Sequence, residues 1–360
     1  MAAALLKEQG HRVVGVFMRQ YDYADVKTKN NDFLACAQEE DRLSALAVAK
    51  HLAIPFFSWD FRKVYHEKVV DYLFGEYARG RTPNPDIMCN VHLKFGAFLK
   101  RARREGAHYI ATGHYARLRR EIKNEKLKIK NGRRELFHLL KAKDKNKDQT
   151  YFLSQLAQKQ LPYCVFPVGE YQKSEVREMA KKFGLPTANR KDSQGICFVG
   201  DVSMQDFLSS RIPSNPGPVI TAKGLQIGTH KGAAYYTIGQ RHGLGLLGGE
   251  NPWYVCAIDI KKNTLLVVQG EKKTDLFSKQ LTVKNIHWIS GAQVKFPFSC
   301  KARIRYRQPL EGCTIFKSQI SNLKSQTYNV EFRKAQRAVA PGQYVVFYKG
   351  QECLGGGIIQ

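Results

Sequence analysis

Two cysteines of this 360-residue chain stand in surroundings that suit covalent chemistry. The first closes the stretch Gly80-Arg81-Thr82-Pro83-Asn84-Pro85-Asp86-Ile87-Met88-Cys89-Asn90, where prolines stiffen a loop that presents Asp86 and then Cys89 at the mouth of a following helix. With Asn90 as the expected N-cap, unpaired helix N–H groups would stabilise a thiolate at Cys89 and lower its pKa. Cys89 is therefore a candidate nucleophile and Asp86 a candidate acid or base, against the plainer alternative of a structural loop cysteine. The second stretch is Lys191-Asp192-Ser193-Gln194-Gly195-Ile196-Cys197-Phe198-Val199-Gly200, whose glycines let backbone or ligand approach Cys197 closely. One reactive cysteine suggests covalent catalysis. Two such loops suggest sulfur transfer, one thiol carrying a persulfide and the other resolving it as a disulfide, provided the loops are neighbours in space.

Other polar groups are less specific. Thr112-Gly113-His114-Tyr115 ends a strand, where open α/β sheets bind ligands beyond the carboxyl edge, although a capped strand with a satisfied histidine reads equally well. Lys147-Asp148-Gln149 is by itself a polar turn. Cys89 and His92 have a metal-like separation, but without a second such pair zinc is not indicated. The eight cysteines, at 36, 89, 164, 197, 256, 300, 313 and 353, contain no C-x-x-C pair, so neither a zinc ribbon nor a disulfide framework is expected.

The elements that must position these groups alternate helix and strand over residues 1–200, the pattern of a parallel α/β sheet. Ala2 to Gln9 reads as a helix stopped by Gly10, and Val13 to Met18 as a buried strand. A helix over Glu39 to Leu52, a strand over Ile54 to Trp59 and a helix through Tyr77 lead to the Gly80–Asn90 loop. Val91, Phe95, Phe98, Leu99 and Ala102 keep helical spacing, and His108 to Thr112 gives a short strand. Residues 117–147 look like a basic hairpin or a long loop; Thr150 to Leu156 and Lys173 to Phe183 are helical. Pro213, Pro216, Gly217 and Pro218 then open a small, loop-rich domain, and from Leu281 short strand-like segments separated by turns read as an antiparallel barrel. The expected domains are 1–200, 201–278 and 279–360.

Charge points to the partner. Lys and Arg number 58 against 31 Asp and Glu, a formal net charge of +27 at an ordinary hydrophobic content of 43%, which excludes disorder by composition and favours a polyanion. The excess is local: residues 101–150 hold 16 basic and 6 acidic side chains and residues 301–360 hold 10 and 3, whereas residues 1–100 hold 14 and 12. Lys301, Arg303, Arg305 and Arg307 alternate with Ala302, Ile304, Tyr306 and Gln308, so a strand's period of two would set four cations on one face, a phosphate-backbone surface. No apolar run approaches the ~20 residues of a membrane span, and the expected location is the cytoplasm.

Along essentially its whole length the chain resembles the tRNA-specific 2-thiouridylases of the bacterial MnmA type. The likeness runs through GVFM (15–18), GRTPNPDIMCN (80–90), ATGHYAR (111–117), KDQTYFLSQL (147–156), FPVGE (166–170), KDSQGICFVG (191–200), TIGQRHGLG (237–245), RYRQ (305–308), APGQ (340–343) and CLGGGII (353–359). It implies an adenine-nucleotide alpha-hydrolase-like α/β domain with pyrophosphatase chemistry, a small central domain and a C-terminal β-barrel that binds tRNA. It also implies an ATP-dependent enzyme, with Mg²⁺ accompanying ATP, that replaces the C2 oxygen of the wobble uridine with sulfur. Cys197 would take the sulfur as a persulfide from a donor protein and close a transient disulfide with Cys89. Asn84, Pro85 and Asp86 would meet the target base, with Asp86 the acid or base. Met18 and Gly113 would line the adenine pocket; His114, Lys147, Asp148, Gln149, Arg305, Tyr306 and Gln343 would touch tRNA. The family's Ser-Gly-Gly-Val-Asp-Ser phosphate loop and its strand, which precede the first helix, do not occur in these residues. The resemblance therefore implies an N-terminal truncation, and as the alternative function a tRNA-binding or sulfur-relay protein without ATP chemistry.

Overall fold

Short runs of β-branched and aromatic residues meet in parallel pairs within the first 200 residues. In the computed structural model, Gly15–Arg19 pairs with Phe56–Asp60, and Ile110–Ala111 pairs with Cys164–Val165. The structure describes residues 1–21, 31–124, 133–190, 203–246, 251–270, 273–318 and 326–360, with backbone alone for 31–37, 123–124 and 133–134. Around these strands run the helices Ala2–Glu8, Asn31–His51 and Lys173–Lys182 and a helical run from Arg62 to Ala78. That run stops at Gly80, whose φ of 70° lies in the left-handed region. A Cβ at Gly80 would also fall 2.3 Å from the Ile260 side chain of the next domain.

Residues 116–141 form the hairpin that the basic stretch allowed: Ala116–Asn124 pairs antiparallel with Arg133–Lys141. Its second strand continues into the C-terminal domain, Leu139 and Leu140 standing opposite Cys353 and Glu352. The barrel itself comprises Phe277–Trp288, Phe298–Arg303, Glu311–Lys317, Thr327–Arg337, Tyr344–Lys349 and Glu352–Ile359, and it closes where Val283 meets Ile359. Closure pairs each of the six barrel strands on both sides, and Ala116–Asn124 of the hairpin is left as the outer strand of the sheet. Leu281, Val283, Ala302, Ile315, Val330 and Phe347 fill its interior. Between the two large domains lies a four-stranded sheet in the order Gln226–His230, Gly217–Thr221, Thr264–Gln269, Trp253–Asp259.

The four-cation ladder does not form. The strand ends at Arg303, and the chain turns so that Arg307 takes a φ of 63°. Arg303 is buried against Asp148, Arg305 donates to the carbonyls of Ile238 and Ala338, and only Lys301 and Arg307 are exposed. Burial decides this outcome: a guanidinium inside the fold needs acceptors, and the neighbouring domains supply them.

Apolar packing couples the domains around one loop. Tyr65, Val69, Leu73 and Leu93 share a core with Val219, Tyr235, Val255 and Leu265 of the middle domain. Phe95, Leu99, Tyr151 and Leu153 share another with Tyr344, Val346 and Tyr348 of the barrel. Ile87, fully buried, plugs the second core, while Cys89, two residues on, belongs to the first. Burying an Ile side chain is worth about 1.5–3 kcal/mol, enough to fix the start of this helix between both cores.

Candidate active site

The helix after the stiff loop begins earlier than its cysteine suggested. Asn84, not Asn90, is the N-cap: its Oδ1 accepts from the Ile87 amide at 3.1 Å, and Pro85 occupies the first helical position. A proline there loses no hydrogen bond and presets φ, which explains the shift. Cys89 therefore lies in the second turn, buried, where Pro85–Met88 widens into π-helical Cys89–Phe98. Asn90 is buried as well, its amide donating to the Phe152 carbonyl at 3.0 Å.

The loop is held by both other domains. Thr82 donates its amide to the Pro341 carbonyl at 2.8 Å and its hydroxyl to Thr237 at 3.0 Å. The Gln343 amide donates to the carbonyls of Thr82 and Pro83 at 3.2 and 3.0 Å, and its oxygen accepts from Asn84 at 3.4 Å. Gly342, at φ 90°, brings its backbone so close that a Cβ would stand 2.9 Å from the Thr82 oxygen. Asn84 and Pro85 are consequently buried and largely engaged within the protein, and Gln343 acts on the loop directly.

Asp86 makes no side-chain hydrogen bond among the described residues, and burial raises the pKa of its carboxyl, with Lys94 opposing the shift. A carboxyl biased toward its protonated form in a desolvated site can give or accept a proton. His114 packs in a cluster with the rings of Phe95 and Phe166, with Thr112 Oγ1 at 2.7 Å from its Nδ1; desolvation, reinforced by Lys94, holds its pKa well below the ordinary value. The imidazole is therefore neutral. Lys94, which acts on both groups, was not among the expected site residues. The interval of four that links Asp86, Asn90 and Lys94 along the helix is the signal that could have found it.

Met18 is half-buried near the carboxyl end of its strand and packs in the same cluster as Trp59, Met88 and Phe98. Gly113 is exposed, and a Cβ there would meet nothing within 4 Å. Gln149 is tied to Tyr115 in both directions, its Oε1 accepting from the Tyr115 backbone amide and its backbone N–H donating to the Tyr115 carbonyl, each at 2.9 Å. Tyr306 lays its ring on Phe152 at 4.6 Å, near Lys147. Asp148 departs from the expected RNA contact. It is 3% exposed, accepts from Thr150 and Ala142, and faces Arg303, because an acid placed between hairpin and barrel is needed to compensate that guanidinium. Cys197 and its loop lie outside the described residues, as does any pairing with Cys89.

The two basic segments meet in space through the hairpin–barrel pairing. Burial lowers the pKa of Lys141, Asp148 opposes the shift, and Arg303, Lys301 and Lys145 add to it; Lys143, Lys145, Lys301 and Arg307 are exposed on these two segments. Crowded like charges of this kind are relieved by a polyanion.

Comparison with known proteins agrees with this architecture. A model of the tRNA methyl transferase HUP domain matches residues 1–201, one of the tRNA methyl transferase PRC-barrel domain matches 205–269, and one of the aminomethyltransferase β-barrel domain matches 278–359. The tRNA-specific 2-thiouridylase MnmA of Streptococcus agalactiae serotype III (strain NEM316) is 46% identical over 363 residues, spanning 100% of this chain and 91% of the relative. The protein of the same name from Streptococcus sanguinis (strain SK36) is 45% identical over 363 residues, and the tRNA-specific 2-thiouridylase MnmA 2 of Geobacillus kaustophilus (strain HTA426) is 45% identical over 359, each with the same two coverages. The HUP match starts at residue 1, so these comparisons do not support the expected N-terminal truncation. No described helix is long and apolar enough to cross a membrane.

Proposed function

We propose that this chain, which belongs to the MnmA family of tRNA-specific 2-thiouridylases, is a tRNA-uridine 2-sulfurtransferase whose target base is received by the loop Gly80–Asn90. The observation that carries the reading is the placement of a desolvated Asp86 and a buried Cys89 on one short helical segment, anchored in two cores and fastened by Thr237 and Gln343 from the other two domains. A single-stranded, splayed-out base suits so stiff a receptor. The crowded cations of hairpin and barrel would hold the anticodon stem-loop by its phosphates. Full-length likeness to enzymes of this name does not favour the alternative of a sulfur-relay or tRNA-binding protein without catalysis.

In this reading ATP is a co-substrate, with Mg²⁺, that activates the C2 oxygen of the wobble uridine by adenylation. Met18 and the open space at Gly113 suit the adenine end. The chain contains no Ser-Gly-Gly-Val-Asp-Ser run for the phosphates, and no residue is assigned to them. Cys197 would carry sulfur as a persulfide received from a donor protein. The persulfide would add at C2 and expel AMP, either directly, Cys89 then closing the transient disulfide on the inner sulfur, or after Cys89 attacks that inner sulfur and releases hydrosulfide as the nucleophile; Asp86 would move the accompanying proton. His114, neutral, contributes hydrogen bonding rather than charge.

The test is incubation with tRNA, ATP and a persulfide donor, followed by mass spectrometry of the nucleosides. Appearance of 2-thiouridine is expected. Its absence while tRNA binding persists would overturn the enzymatic reading.

A further inference from the structure

A cavity of about 750 Å³ opens where the three domains meet. Tyr77 comes from the N-terminal domain, the segment from Thr237 to Gly243 from the middle domain and Arg337 from the barrel. Its wall is continuous with the loop described above, because Thr237 takes the Thr82 hydroxyl. No acidic side chain is among its described lining residues, which include Arg241, His242 and Arg337.

The cations here lack counter-ions. Among the described residues neither Arg241, Arg305 nor Arg337 forms an ion pair, and the buried Nε of Arg337 has no hydrogen-bond partner. Arg337 is held over the Tyr254 ring at 4.8 Å, which fixes its guanidinium without neutralising it. Gly239 separates it from Arg305: a Cβ at that glycine would stand 3.5 Å from Arg305 Nη2 and 3.9 Å from Arg337 Nη1. Arg305 is satisfied by two carbonyls, so Arg337 keeps the unmet demand. Arg241, exposed at the rim, donates its Nε to His242 and leaves the ends of its guanidinium to the cavity mouth. Two guanidiniums without carboxylates in the wall of one cavity, Arg337 fixed over Tyr254 and Arg241 at the rim, make a seat for a phosphate oxyanion.

We propose that this cavity takes a nucleotide flanking the target uridine, its phosphodiester held between Arg337 and Arg241. The inference rests on the proposed tRNA substrate. Enzymes that extrude a base also grip the nucleotides beside it, and this seat shares a wall with the receiving loop.

The experiment measures affinity for an anticodon stem-loop RNA against salt concentration, for the wild-type chain, Arg241→Gln, Arg241→Glu and Arg337→Lys. Arg241 is exposed, so its variants fold. Arg241→Gln is expected to weaken binding several-fold and to lower the salt slope by about 1, with Arg241→Glu weaker still. A methylphosphonate at one linkage beside the target uridine should cost the wild-type chain the same factor and cost Arg241→Gln nothing further. ATP affinity should not change. Wild-type affinity and slope in all three variants, additive losses from variant and modified linkage, or a loss confined to ATP would each overturn the proposal. If the wild-type chain itself shows no salt-dependent tRNA binding, the proposed function falls with it, and the two failures are told apart.

Discussion

Replacing Asp148 by asparagine should destabilise the fold and leave RNA affinity nearly intact, because the structure makes this residue a strut between hairpin and barrel. Its Oδ1 accepts from the Thr150 hydroxyl at 2.8 Å and from the amides of Thr150 and Ala142 at 3.3 Å, while Oδ2 faces Arg303 at 3.4 Å. That last contact is long for a hydrogen bond, so its value lies in compensating charge. Asparagine keeps an acceptor for the Oδ1 cluster but leaves the guanidinium of Arg303, a 6% exposed residue, supported among the described residues by the Tyr348 ring. Breaking a buried pair on one side costs about 3–5 kcal/mol. The long contact and the ring argue for the lower end, about 3 kcal/mol, which corresponds to a melting point lower by roughly 6–12 °C. Thermal unfolding followed by circular dichroism reads this directly, and tRNA affinity measured well below the transition should stay near wild type. The double variant Asp148→Asn with Arg303→Met should recover part of the loss, since an uncharged methionine in place of the guanidinium removes the stranded charge. An unchanged melting point together with weakened tRNA binding would refute the strut and restore Asp148 as an RNA contact.

Cys89→Ser and Cys197→Ser should each abolish 2-thiouridine while retaining tRNA binding; product from either variant would sink the two-thiol route. For Asp86, burial raises the folded pKa above the unfolded value, so the native chain holds more protons between the two pKa values and its stability falls as pH rises through that window. Asp86→Asn should thus melt higher than wild type at neutral pH, match it near pH 3, below the unfolded pKa of about 3.9, and lose thiolation; equal melting at both pH values would contradict the desolvation argument. Gly342→Ala forces a side chain into a left-handed backbone position against the Thr82 backbone. A cost of about 1–3 kcal/mol is expected, with kcat falling more than RNA affinity as the loop shifts, and an unperturbed kcat would show that the clamp does not set the loop.

Local patterning made the architecture legible: short runs of strand composition between turns located the barrel, breaker residues marked the middle domain, and the hairpin was one of two readings of its basic segment. The misreadings share one physical cause. Arg303 reads as a surface cation until Asp148, 155 residues away, is seen to bury it; Arg305 reads likewise until the carbonyls of Ile238 and Ala338 close over it. The N-cap is a different matter, since Asn84-Pro85 carries its own local start signal, a capping side chain followed by proline at the first helical position. The same reasoning explains why the loop needs all three domains. Two prolines restrict φ but remove amide donors, leaving the carbonyls of Thr82 and Pro83 without local partners. Among the described residues Gln343, about 260 positions later, supplies the donors. A rigid receptor for a base is thus obtained by stiffening the chain locally and satisfying it remotely, and that remote half cannot be read from spacing along the loop.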